Sequence, residues 1–135
     1  MPLLSDTRFP RLLAGIAFVV ALVYLVPAAL VPPAFGDQVL LGFRFVGWPG
    51  WIASGAHGLF FLWLSYAALR RRSVAAWGAI AYCVYMIENI WIYSTGEGSV
   101  FFPNWSSMMI VNAVVTACLL SFCRVILKRR PAFDR

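Results

Sequence analysis

Four runs of about twenty apolar residues dominate this chain, and each is long enough to cross the hydrocarbon core of a bilayer as a helix. They cover residues 12–31, 51–69, 74–93 and 108–127. Backbone polar groups in hydrocarbon must be satisfied within the segment itself, so each run is expected to be helical. The rest of the 135 residues makes short connections and termini, too little for a separate soluble domain. Hydrophobic residues make up 62% and charged residues 12%, where soluble domains carry about a quarter charged. The expectation is an all-α integral membrane bundle of four transmembrane helices, two helical hairpins in one domain over residues 1–135.

The cations order this bundle. Arg8 and Arg11 precede the first run, and Arg70, Arg71 and Arg72 separate the second from the third. Arg124, Lys128, Arg129, Arg130 and Arg135 close the fourth. Only Arg44 lies elsewhere. Cations concentrated at alternate ends of apolar runs mark the cytoplasmic side, so both termini are expected inside and residues 32–50 and 94–107 outside. The net charge of +6 is thereby explained by topology and contact with anionic lipid, and a nucleic-acid partner is not expected. A cleaved leader is the competing reading of the first run. Its length and the lack of a small-x-small site before a polar start argue for a retained span.

The first outer connection is unusual. Residues 39–46 (VLLGFRFV) are too apolar for a solvated loop and too short to cross, so they are expected at the interface or folded over the bundle. Trp48 and Trp51 then mark the headgroup level. In the second, Ser94 and Gly96 begin a turn-rich stretch that continues through Gly98 to Phe101, Phe102 and Pro103. Asn104-Trp105-Ser106 fits a glycosylation sequon but abuts the membrane and reads as coincidence. Cys83, Cys118 and Cys123 all lie within runs, with no metal-ligand spacing, and read as packing thiols.

Strongly polar groups inside spans cost several kcal/mol and need a reason. His57 lies in the second run, Glu88 and Asn89 in the third and Asn112 in the fourth. Counted from the outer ends at about 1.5 Å per residue, all fall at one level roughly 6–9 Å deep. Helical phase supports convergence. Ser54, His57, Gly58, Phe61 and Ser65 form one stripe. Tyr82, Tyr85, Glu88 and Asn89 share one arc of the third helix. Asn112 and Thr116 share a face of the fourth, beside Ala113, Ala117 and Ser121, a small-residue stripe suited to close helix contact. A single cluster facing the interior is therefore expected, with Glu88 and His57 as an acid/base pair. Asn89, Asn112, Tyr85, Tyr82, Ser54, Phe61 and Thr116 would contact a ligand, and Arg44 would cap the pocket and pair with Glu88 or Asp37, or snorkel at the interface.

Three meanings of such a cluster stay open: a structural hydrogen-bond network, a ligand or substrate pocket, and a proton or ion path. The aromatics Phe60, Trp63 and Trp77 would line a site for a flat lipophilic molecule such as a quinone, or serve as packing anchors. No cofactor is expected. Haem is disfavoured because His57 is the only histidine, and quinone stays open. The function expected is binding of a lipophilic small molecule or lipid. A membrane-embedded isomerase or cyclase, a structural subunit or homo-oligomer, and a small proton-coupled transporter are the alternatives.

The layout resembles small four-span bacterial proteins of the DoxX-like kind. The likeness rests on the basic N-terminus, the proline near the end of the first span, the stretch Phe43-Arg44-Phe45-Val46-Gly47, and Gly58-Leu59 ahead of the Arg-rich turn. It implies a plasma-membrane protein, hence a bacterial cytoplasmic membrane, sometimes with redox or quinone partners. No functional residue is transferred by it.

Overall fold

The structure is a computed structural model that describes residues 8–96 and 104–133. Four helices form a bundle: α1 (Phe9–Leu30), α2 (Trp48–Leu69), α3 (Ser73–Thr95) and α4 (Trp105–Arg129). Each is long and apolar enough to cross a membrane. Residues 97–103 of the second connection, including Gly98, Phe101, Phe102 and Pro103, lie outside the described residues, as does Arg135.

All four helices begin earlier than the apolar runs do. Pro49 stands in the first turn of α2, where a missing N–H costs nothing because that donor has no helical partner. Asn104 of the sequon caps α4, its side-chain oxygen accepting from Ser107 N at 2.8 Å, a common role for asparagine before a helix.

The bundle is not purely helical. Between α1 and α2 the apolar stretch folds into an antiparallel hairpin of β1 (Asp37–Leu40) and β2 (Phe43–Val46), paired from Asp37 with Val46 to Leu40 with Phe43. Its two-residue turn, Leu41-Gly42, has φ of 51° and 80°. Two positive φ values in sequence make the tight turn whose twist matches paired strands. A side chain on Gly42 would also run into Ile92 of α3. The helical bundle stands as expected, and this short hairpin is an addition to it that pairs its own backbone while Val39 and Leu40 of β1 are partly buried.

Helices α1 and α2 pack through small residues. Ala14, Ala17 and Ala21 are buried on α1 against Phe61, Leu64 and Ala68 of α2. A β-carbon on Gly58 would sit 2.5 Å from Leu25 Cγ, so this crossing tolerates no side chain there. Ser65 Oγ donates to the Ala14 carbonyl at 2.9 Å. Trp51 Nε1 donates to the Ala28 carbonyl at 2.6 Å. In a continuing helix that carbonyl would bond to residue 32, a proline without an N–H. The indole thus satisfies a group that the α1 terminus leaves open.

The link between α2 and α3 is a C-terminal cap with a left-handed residue. Arg71 has φ 51°, its N–H reaches Ala68 O, and Arg72 N–H reaches Ala67 O, both at 3.0 Å. This is the Schellman pattern, here with arginine at the position usually held by glycine. At the same end Phe9 meets Phe133 edge-on at 6.0 Å, and the Arg130 guanidinium lies 5.0 Å over Trp77.

On α4 the buried face carries Met108, Asn112, Cys123 and Ile126. The small-residue stripe Ala113, Ala117 and Ser121 is exposed, which corrects its expected role in helix contact. Larger side chains packed against α3 outweigh the close approach that small ones allow. Cys83 and Cys123 are buried as expected, whereas Cys118 is exposed.

Candidate functional site

The polar residues of the spans do share a level. Counted from the helix ends nearest the hairpin, His57, Asn89 and Asn112 lie roughly 9–14 Å in, at about 1.5 Å per residue. They do not form one cluster. Their hydrogen bonds run to three different places.

His57 is 8% exposed and sits where α1, α2 and α3 meet. Its Nδ1 donates to the Ala53 carbonyl one turn earlier at 2.8 Å. A carbonyl only accepts, so in the neutral ring Nδ1 carries the hydrogen and Nε2 the lone pair. No hydrogen bond to Nε2 is made among the described residues. Aromatic rings collar the imidazole. Tyr24 of α1 stacks on it at 5.4 Å and 24°, Tyr82 meets it edge-on at 6.0 Å, and Tyr85 lies tilted at 5.9 Å. Phe61 continues the collar, parallel to Tyr24 at 6.2 Å and edge-on to Tyr82 at 4.6 Å. Outside the collar a shallow groove of about 270 Å³ is lined by Leu40, Ala53, Ala56, His57, Phe60, Tyr82 and Tyr85. The β1 strand thus forms its rim. The Tyr85 hydroxyl is buried without a hydrogen-bond partner among the described residues, approaching the Leu41 amide of the turn.

Asn89 serves the hairpin. Its Oδ1 accepts from Gly42 N at 2.6 Å, and its Nδ2 reaches Val39 O at 3.5 Å. Asn112 belongs to the seam of α3 and α4. It is 0% exposed and donates from Nδ2 to Ser94 Oγ at 2.6 Å, while its Oδ1 has no partner among the described residues. Thr116 lies in the same seam, its hydroxyl accepting from Trp91 Nε1 at 2.9 Å. Asn89, Asn112 and Thr116 therefore stand outside the groove lining.

Glu88 departs most from expectation. It is exposed on α3, and no hydrogen bond or ion pair joins it to His57 among the described residues. Consecutive helical residues are about 100° apart. The arc shared by Tyr82, Tyr85, Glu88 and Asn89 is real, but the buried face of α3 runs through Ala75, Ala79, Cys83 and Asn89. Glu88 falls at the far edge of that arc, and the expected acid/base pair is not assembled.

Ser54, half-buried, lines a separate cavity of about 170 Å³ with Pro27, Ala28, Val31, Gly36, Asp37 and Trp51. Arg44 pairs with Asp37 across the hairpin, Nε to Oδ1 at 2.9 Å and Nη2 to Oδ2 at 2.5 Å. This forked hydrogen bond is the main reason the Asp37 carboxyl is held below its usual range; partial burial opposes it and the arginine charge reinforces it. Trp63 and Trp77 are largely exposed, so of the expected aromatics Phe60 and Phe61 are the ones joining the tyrosine collar. Tyr24 was not singled out from the sequence, yet extending the α1 stripe Ala14, Ala17, Ala21 by three residues would have reached it.

Comparison with protein families, curated proteins and solved structures gave no match to this chain.

Proposed function

We propose that this chain is a multi-pass protein of a bacterial cytoplasmic membrane that binds a small lipophilic molecule in the groove beside His57. Three observations support the membrane placement. The four helices are apolar enough to cross, their connections bring the Arg-rich segments to the end opposite the hairpin, and cations mark the cytoplasmic side. The hairpin end then faces outward, and the groove lies in the outer leaflet. The resemblance in layout to DoxX-like proteins is consistent with this setting.

One observation carries the binding reading. A buried imidazole is held by one ring nitrogen inside an aromatic collar, its other nitrogen without a hydrogen bond among the described residues, and it lines a groove with Phe60, Tyr82 and Tyr85. Concave apolar lining with a few fixed polar groups is the usual composition of a ligand site. Because Ala56 and Phe60 stand on the lateral face of α2, entry is from hydrocarbon and suits a bilayer-dissolved molecule. Glu88 lies apart from the groove, which favours binding over proton-transfer catalysis by this pair.

Native mass spectrometry of the protein extracted in mild detergent tests the proposal. A small lipophilic adduct is expected on the wild type and is weakened in Phe60→Ala. Absence of any adduct, together with thermal stability that does not change across lipids and quinones, would overturn it.

A further inference from the structure

We infer that His57 makes the groove selective for a ligand that donates a hydrogen bond: a lipophilic alcohol, phenol or reduced ring bearing a hydroxyl. This inference rests on the groove being a binding site, and it adds the chemical class of the occupant.

The Ala53 carbonyl can accept but not donate, so the 2.8 Å contact assigns the single hydrogen of a neutral imidazole to Nδ1. Nε2 is then an acceptor. Turning the ring over would break that bond, so the Ala53 carbonyl holds the orientation. The lining also carries the hydroxyls of Tyr82 and Tyr85; that of Tyr85 is buried beside the Leu41 amide of the hairpin turn. At His57, the one ring of the lining whose free polar atom can only accept, an entering ligand must supply a hydrogen. A ligand with only carbonyl or ether oxygens would set its lone pairs against the Nε2 lone pair and leave both unpaired in an apolar site. Sites built to pair a hydroxyl reject analogues lacking it far better than they reject a missing methylene. At about 270 Å³, the groove lies just below the usual range for ligand pockets, roughly 300–1,000 Å³, and suits a single ring with its chain left in lipid.

The test uses the full-length protein in detergent and two matched probes, 4-octylphenol and its methyl ether. Affinities come from native mass spectrometry. The ring nitrogens are read by NMR after ¹⁵N-histidine labelling, unambiguous because the chain has one histidine. The phenol is expected to bind about tenfold more tightly, one neutral hydrogen bond's worth. Only the phenol should shift the non-protonated nitrogen, and His57→Phe should bind both probes alike. If both bind the wild type equally and Nε2 does not respond, the selectivity is wrong while the groove stands. If neither binds, the groove reading itself fails. Should His57→Phe not fold, the nitrogen shifts in the wild type decide alone.

Discussion

Asn89 Oδ1 accepts a hydrogen bond from the Gly42 backbone N–H at 2.6 Å, joining α3 to the tip of a hairpin 47 residues earlier. The bond is buried at both ends, and Ile92 packs against Gly42 beside it. It holds β1, and with it Leu40, in place as the rim of the groove. Removing the acceptor strands a buried donor, which costs more than the bond contributes when made. Asn89→Leu is therefore expected to lose about 1–3 kcal/mol of stability, by the cost of an unsatisfied buried amide. Asn89→Asp keeps the acceptor and should retain most of it. Thermal unfolding in detergent and hydrogen exchange at the Gly42 amide check both; equal behaviour of the two variants would contradict the latch.

The left-handed Arg71 predicts a gain. A non-glycine residue at this cap carries a steric cost that glycine avoids, partly offset by the greater freedom of an unfolded glycine. Arg71→Gly is expected to stabilise by about 0.5–1 kcal/mol on that balance. The expected result is a higher midpoint in thermal unfolding, with Arg70 and Arg72 left to mark that end of the bundle.

The Asp37–Arg44 pair gives a pH dependence whose sign is fixed. The folded pKa of Asp37 is lowered, chiefly by the hydrogen bond from Arg44. Its stabilising effect is thus present above the ordinary carboxylate pKa of about 3.9 and disappears as pH falls through the lower folded value. Both side chains are about half exposed, at 48% and 49%, so the pair contributes no more than about 0–1 kcal/mol. Acidification from pH 5 to below pH 3 should loosen the hairpin, seen as faster amide exchange in β1 and β2. In Asp37→Asn that difference should shrink.

The exposed position of Glu88 separates binding from acid/base catalysis. Glu88→Gln is expected to leave octylphenol affinity within about twofold, because this carboxyl forms no part of the groove lining. Phe60→Ala removes a wall and should weaken the same probe by about tenfold or more, following the loss of a buried aromatic contact. A large loss in Glu88→Gln with Phe60→Ala unaffected would reverse the assignment.

The sequence alone determined the helices, because a run of about twenty apolar residues has one way to satisfy its backbone in hydrocarbon. It also determined the common level of His57, Asn89 and Asn112, since depth along a helix is a count of residues. The buried stripe His57, Gly58, Phe61 and Ser65 was legible for the same reason. What it left open was azimuth: which third of each helix circumference meets a neighbour. That depends on how four cylinders pack, and it is why Glu88 turned outward while Asn89, one residue on, turned inward. The hairpin was likewise beyond local reading, because an apolar stretch whose one charge is Arg44, without a polar turn, does not announce a reversal. Only packing of Gly42 against Ile92, with Asn89 at hand to bind its amide, makes the turn at that place favourable.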